Sequence, residues 1–170
     1  YFDGSHKAFI EAFCENSQHN TRLLSMPARK WKWRMRGSAF EMAKRLSELK
    51  SQGHGFNAIF CSDMLNLAEL KGICPEANVP SVIYFHENQF TYPNQIKDKR
   101  DFQFGITNLS SALAAEKVLF NSRYHLEDFL SESEKVLKKM PDFKCLEILG
   151  RIREKSQVTY PGICGNIESR

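Results

Sequence analysis

The sequence of 170 residues lacks the features that would place it in a membrane or in a disulfide-stabilised class. No apolar run approaches the roughly 20 residues that a membrane-spanning helix needs, and no signal-peptide pattern is present. The five cysteines are odd in number and include no Cys-x-x-Cys pair, which disfavours a disulfide framework or a zinc knuckle and indicates a reducing compartment. Because the chain also opens without a methionine, we expect a soluble, cytoplasmic fragment of a longer protein.

The sequence also lacks the short signatures of several large enzyme classes. It has no Gly-x-Gly-x-x-Gly after a strand and no Gly-x-x-x-x-Gly-Lys-Ser/Thr, so neither a dinucleotide fingerprint nor a P-loop is predicted. A Gly-x-Ser-x-Gly elbow and a His-Glu-x-x-His helix are absent as well. We therefore expect neither a serine hydrolase of that type nor a resident metal.

What the sequence does contain is an alternation of helical and strand patterns. This alternation predicts an α/β fold with a doubly wound, mostly parallel Rossmann-like sheet and helices on both faces. Predicted strands cover residues 22–26, 56–61, 81–85, 117–120 and 158–160. Predicted helices cover residues 6–15, 34–49, about 64–72, 102–115 and a region that starts after Ser122, followed by a charged helical region over 133–155 that Pro141 interrupts.

Helix caps and core faces follow from the same patterns. We expect Ser5, Ser62 or Asp63, Asp101 and Ser122 to cap the helices that follow them. In the helix over residues 34–49, the 3.6-residue spacing predicts one buried face. Its members are Phe40, Ala43, Leu46 and Leu49.

The strongest candidate site follows the predicted strand over residues 81–85. Four polar residues in a row at the end of an apolar strand are hard to explain by packing, and parallel sheets bind ligands at the carboxyl ends of their strands. His86 and Glu87 are the candidates for catalysis, because an imidazole and a carboxylate can orient or deprotonate a hydroxyl group. Asn88 and Gln89 are candidates for substrate binding. The alternative is a histidine satisfied by the local backbone with solvated neighbours.

Two further segments face the same predicted cleft. Asn121 and Ser122 end another strand and are candidate substrate-binding residues, although Ser122 would also serve as a simple helix cap. Near the start of the chain, a glycine followed by a helix offers backbone N–H groups and a helix dipole to an anion. The candidate donor-binding residues there are Gly4, Ser5, His6 and Lys7, and a helix cap is again the simpler alternative.

A basic segment with embedded aromatic residues lies between positions 29 and 36. Such a pattern suits phosphate backbones and stacked bases, whereas composition alone favours a solvated helix start with its tryptophans facing the core. The candidate nucleic-acid-binding residues of this segment are Arg29, Lys30, Trp31, Lys32, Trp33, Arg34 and Arg36.

Residues 1–130 resemble the tRNA-queuosine α-mannosyltransferases, in which these segments occur in the same order. The segments that carry the resemblance are 4–7 (GSHK), 26–36 (MPARKWKWRMR), 60–69 (FCSDMLNLAE), 84–89 (YFHENQ), 100–105 (RDFQFG) and 120–122 (FNS).

The resemblance implies a GT-B glycosyltransferase, in which two Rossmann-like domains face each other across a cleft. It implies transfer of mannose from the nucleotide sugar GDP-mannose to queuosine in tRNA with retained anomeric configuration, with no cofactor and no metal. Residues 1–160 would form the N-terminal, acceptor-side domain, and residues 161–170 would begin the linker to a C-terminal donor-binding domain. The resemblance also places His86 near the transferred sugar and Gly4 and Ser5 near the diphosphate. The fragment alone should then be inactive.

Three alternatives remain open from the sequence. The first is a GT-B glycosyltransferase with another acceptor, and the second is a non-catalytic RNA-binding module built on a Rossmann-like domain. The third is a hydrolase that uses His86 and Glu87, although the sequence offers no nucleophile signature for it. Sugar-nucleotide binding by the full-length protein would separate the second alternative from the transferases.

Overall fold

A parallel four-stranded sheet forms the centre of the computed structural model, which describes residues 2–92 and 102–162. The strands are adjacent in the order of the chain: Ile59–Ser62 (β1), Ser81–Phe85 (β2), Lys117–Phe120 (β3) and Ser156–Val158 (β4). The α-helices around them are Gly4–Asn16 (α1), Trp31–Ser51 (α2), Leu67–Ile73 (α3), Gln103–Ala114 (α4), Arg123–Lys138 (α5) and Glu147–Glu154 (α6). No helix within the described ranges combines the length and the apolar character needed to cross a membrane.

Side chains of β2 alternate between two covered faces of the sheet. Ile83 and Phe85 belong to the main core, together with Leu109 of α4 and Phe129 of α5. Tyr84 points to the opposite face, where Phe9 of α1 stacks on its ring at 4.1 Å between centroids. Because helices cover both faces of a parallel sheet, the predicted α/β, Rossmann-like class is confirmed.

The strand predicted over residues 22–26 is wrong. These residues form no regular strand, and the nearest pairing is a single parallel bridge between Phe2 and Pro27. Leu24 and Met26 instead pack against the inner face of α2. The apolar run therefore reflects burial against a helix, which periodicity alone does not separate from burial in a sheet.

The predicted inner face of α2 is wrong at one position. Residues Ala39, Met42, Leu46 and Leu49 are buried, whereas Phe40 is 60% exposed. The buried stripe also includes Met35 and Ser38 nearer the start of the helix, and Phe40 lies on the solvent side.

Two predicted helix caps are also corrected. Asp3 caps α1 in place of Ser5, because the helix begins at Gly4 and the Asp3 carboxylate accepts a hydrogen bond from the Gly4 N–H at 2.8 Å. Asn66 caps α3, since its side-chain oxygen accepts from the Glu69 N–H at 3.1 Å. Ser62 instead ends β1, and Asp63 lies in the following turn.

The remaining expectations about caps and element ends concern later parts of the chain. Ser122 caps α5 as predicted, with its hydroxyl accepting from the His125 N–H at 3.1 Å. The charged region breaks around Pro141, as expected, into α5 and α6. The last strand covers Ser156–Val158, two residues earlier than the predicted 158–160. The cap predicted at Asp101 lies outside the described residues.

Candidate active site at the carboxyl edge of the sheet

His86 follows β2 directly and is enclosed by aromatic rings. Its ring lies 4.1 Å from that of His6 on α1, 4.7 Å from Tyr84 and 5.2 Å from Phe9, measured between centroids. Burial, with the nearby imidazoles of His6 and His125 adding to it, lowers the pKa of His86 to about 3. The ring is therefore neutral at physiological pH and can donate or accept a hydrogen bond without carrying a positive charge.

Asp63 brings a buried carboxyl group from the end of β1 to the same edge. Its Oδ2 accepts a hydrogen bond from the Glu87 N–H at 3.3 Å, and its buried Oδ1 has no hydrogen-bond partner. Burial raises the pKa of Asp63 to about 7; His6 opposes the rise and Glu87 adds to it. A buried carboxyl group with a pKa raised in this way is typical of functional sites.

The sequence pattern predicts Asp63 only as a possible helix cap. The signal that could have found it is its position directly after a buried strand, which is also the position of His86 after β2. His86 begins a run of polar residues, which indicates a site, whereas Asp63 is followed by the apolar residues Met64 and Leu65.

Of the four predicted donor-binding residues, His6 lies inside this cluster. His6 is buried, and its Nε2 lies 3.9 Å from Oε1 of Glu87, whose side chain is 33% exposed. The other three residues are exposed at the start of α1. Gly4 has a φ of +50°, a backbone region that favours glycine, and Lys7 lies 3.8 Å from Glu11. The predicted contacts of Gly4, Ser5 and Lys7 with a donor stay predictions.

Asn88 fixes the loop that follows His86. Its Nδ2 donates to Oδ2 of Asp128 on α5 at 2.6 Å, and its Oδ1 accepts from the Phe90 N–H at 3.0 Å. Thr91 adds a hydroxyl hydrogen bond to the same Asp128 oxygen at 2.8 Å. Both the Nδ2 and the Oδ1 of Asn88 are thus hydrogen-bonded to protein groups. Its predicted contact with substrate stays a prediction.

Asn121 links the ends of β2 and β3. Its Nδ2 donates to the His86 carbonyl oxygen at 2.9 Å, and its Oδ1 lies 3.0 Å from Nδ1 of His125. His125 is buried on α5, and its Nε2 has no hydrogen-bond partner. Sequence reasoning missed His125, which follows the Ser122 cap by three residues and therefore faces back toward the strand ends. Asn121 and His125 together hold the turn at His86 in place.

The basic segment begins α2 and meets the site through Trp31. Trp31 packs against Phe104 of α4 at 5.1 Å between centroids, while Trp33 is 75% exposed. The tryptophans therefore divide between core and solvent.

The first turn of α2 contains no acidic residue and no side-chain cap, so its N–H groups and the helix dipole add to the positive charge. Of the cations, four are exposed and Arg34 is half-buried; the exposed ones are Arg29, Lys30, Lys32 and Arg36.

A small cavity of about 70 Å³ joins the two halves of the site. Its lining residues come from α1, the start of α2 and the turns after β1 and β2: His6, Trp31, Met64, Glu87, Gln89 and Tyr92. Gln89 lines the same cavity as Glu87, and its predicted contact with substrate stays a prediction. The arrangement brings an imidazole pair, carboxylates and an RNA-compatible basic helix start to one edge of the sheet. Within residues 2–92 and 102–162, no group of three or more His, Cys, Asp or Glu side chains is placed to hold a metal ion.

Comparison with known proteins identifies the family. The chain is 41% identical over 162 residues to a tRNA-queuosine α-mannosyltransferase of Drosophila melanogaster, a match that covers 94% of this chain and 42% of that relative. No solved structure matches the chain. The family model of the tRNA-queuosine α-mannosyltransferase N-terminal domain matches residues 1–163. The chain therefore belongs to the N-terminal domain family of the tRNA-queuosine α-mannosyltransferases.

Proposed function

We propose that the whole protein transfers mannose from GDP-mannose to queuosine in tRNA with retained configuration, and that this chain forms its acceptor-side domain. The observation that carries the proposal is the cavity in which Trp31, from the basic start of α2, meets His6 and Glu87. An RNA acceptor held by α2 would thereby reach the polar groups at the strand ends. The name and identity of the Drosophila melanogaster relative support the choice of acceptor and sugar.

His86 and Glu87 act on the transferred sugar in this proposal. A glycosyl group in transfer carries positive, oxocarbenium-like charge. A neutral His86 ring can hold a sugar hydroxyl without repelling that charge, and the carboxylate of Glu87 attracts it. Asp63 accepts a hydrogen bond from the Glu87 backbone N–H and thereby adds a second carboxyl group to the site. His6 and Asn121 keep His86 in its place from either side.

The donor diphosphate meets the exposed start of α1. Gly4 and Ser5 offer backbone N–H groups at the positive end of the helix dipole, and Lys7 adds a cation. These groups offset the leaving-group charge without a metal or a further cofactor. In this proposal the remaining donor contacts come from a C-terminal domain, so the chain by itself forms no product. The protein works in the cytoplasm, where its RNA acceptor and nucleotide sugar are available.

A direct test combines the purified full-length protein with GDP-mannose and tRNA that either carries or lacks queuosine. The expected result is an α-linked mannosyl-queuosine only in the queuosine-containing tRNA, since an α-linked product from an α-linked donor means retention. Incubation of residues 1–170 alone should give no product above background. Transfer to tRNA without queuosine, or to a small acceptor only, would contradict the proposal and favour a glycosyltransferase with another acceptor.

A further inference from the structure

The solvent face of α2 carries two large aromatic side chains that the core does not use. Trp33 is 75% exposed and Phe40 is 60% exposed. They are seven residues apart, so they lie on the same face of the helix, about 10 Å apart along its axis. Two exposed aromatic residues aligned in this way form an apolar stripe on an otherwise charged helix.

Gly37 lies between them, on the turn that separates Trp33 from Phe40. Glycine in the interior of a helix lowers its stability relative to alanine. A Cβ atom at Gly37 would meet no atom within 4 Å, so no neighbouring group of the fold requires a glycine there. The missing side chain leaves an open slot with Trp33 at one end and Phe40 at the other.

Cations border this slot along the helix. Lys44 follows Phe40 by one helical turn. Arg36 precedes Gly37 by one residue and is exposed, with its guanidinium carbon 5.1 Å from the ring centroid of Phe104 on α4. Lys44 lies 3.9 Å from Glu48, and both side chains are more than half exposed, so water can replace this ion pair at little cost. The cations Arg29 and Lys32 continue the positive surface at the start of the helix.

We propose that the slot formed by Trp33, Gly37 and Phe40 stacks unpaired bases of an RNA loop, while Arg36 and Lys44 contact the adjacent phosphates. The proposal rests on the proposed function, in which RNA is the acceptor. Exposed aromatics interleaved with cations suit a single strand, because every base offers a flat face and every nucleotide a phosphate. The slot extends the predicted RNA surface beyond Arg36 to Phe40 and Lys44.

The test measures RNA affinity of the full-length protein by fluorescence anisotropy with two probes. One probe is a labelled RNA stem-loop with an unpaired loop, and the other is a labelled blunt duplex RNA of equal length. The variants are Trp33→Ala, Phe40→Ala and Gly37→Leu. Phe143→Ala is the matched control, because Phe143 is 81% exposed but lies between α5 and α6.

Each aromatic truncation should raise the Kd for the stem-loop about tenfold, equivalent to about 1.4 kcal/mol, with little effect on the duplex. Gly37→Leu should also weaken stem-loop binding while raising the melting temperature, because leucine favours the helix more than glycine does. If Gly37 had only a structural role, its replacement would not weaken stem-loop binding while it raised the melting temperature. Phe143→Ala should bind both probes like the wild type.

Equal losses on stem-loop and duplex would overturn base stacking in the slot. Unchanged RNA affinity with an altered oligomeric state would overturn it too and would make the stripe a protein-docking surface. RNA affinity is measured without the transfer reaction. The slot proposal and the proposed transferase function can therefore be refuted independently of each other. If the slot variants bind RNA like the wild type in a protein that mannosylates tRNA, only the slot is wrong. If they lose affinity in a protein with no transferase activity, only the proposed function is wrong.

Discussion

Replacing Asp63 by asparagine removes a buried charge while keeping the shape of the side chain. The Asp63 side chain is 1% exposed, and burial is the main cause that raises its pKa from 3.8 to about 7. The asparagine oxygen can still accept the hydrogen bond from the Glu87 N–H. Its NH₂ group would take the place of Oδ1, which has no partner in the native protein.

The sign of the stability change follows from the raised pKa. Between about pH 4 and pH 7 the folded state keeps a proton on Asp63 that the unfolded state has released, so native stability falls as the pH rises through this window. A rise from 3.8 to about 7 corresponds to at most about 4 kcal/mol, since each pKa unit is worth about 1.4 kcal/mol. Asp63→Asn should therefore stabilise the protein most at pH 8 and very little at pH 4.

The expected cost is in activity. If the negative charge of Asp63 supports the sugar-binding groups, Asp63→Asn should lower kcat by on the order of tenfold to a hundredfold. Thermal melts from pH 4 to pH 8.5 and initial transfer rates measure both effects on the full-length protein. Asp142→Asn is the control, since Asp142 is exposed in the segment between α5 and α6. A stabilisation that does not change with pH, or full activity of the variant, would refute the reasoning.

Three further predictions concern other parts of the site. His86→Ala should lower kcat/KM about a hundredfold, because a hydrogen bond to the sugar is lost in the transition state, and should change stability by about 1 kcal/mol or less. Replacing Arg29 and Lys32 together by alanine should flatten the log–log salt dependence of tRNA binding by up to about 1.4 to 1.8, at roughly 0.7–0.9 per phosphate contact. Gly105→Ala should destabilise the protein by about 1–3 kcal/mol, as measured by denaturant unfolding, because the new Cβ would lie 2.2 Å from the Phe90 ring.

Each of these predictions has a matched control. His54→Ala removes an exposed histidine after α2 and should leave kcat/KM unchanged; equal losses in both variants would argue against a specific role of His86. Lys117→Ala removes an exposed cation from the amino end of β3 and should leave the salt dependence unchanged. Gly150→Ala, in α6 where a Cβ meets nothing within 4 Å, should not destabilise; a loss like that of Gly105→Ala would remove the explanation through Phe90.

The parts of the fold that the sequence predicts well are those with one strong local signal. The strands over Ser81–Phe85 and Lys117–Phe120 are continuous apolar runs bounded by polar residues, and the structure has them at the predicted positions. Ser122 directly precedes a helical pattern and caps it. In each case the local preference and the tertiary packing agree.

The errors arise where tertiary packing decides. Residues 22–26 have the composition of a strand, but Leu24 and Met26 pack against α2 and Leu23 is exposed. Phe40 is apolar and fits a helical spacing, yet it lies outside the buried stripe. In the site, His86 could be found from the polar run after its strand, and Asp63 from its position directly after a strand. His125 becomes recognisable only when the ends of neighbouring strands are brought together.

The most direct test of the central claim is mass spectrometry of tRNA nucleosides from cells that lack the full-length gene. The cells are complemented with the wild-type protein, with His86→Ala or with His54→Ala. We expect mannosyl-queuosine to disappear in the deletion, to return with the wild type and His54→Ala, and to remain absent or strongly reduced with His86→Ala. Normal levels of mannosyl-queuosine in the deletion, or full recovery with His86→Ala, would contradict a mannosyltransferase whose active site lies at this edge of the sheet.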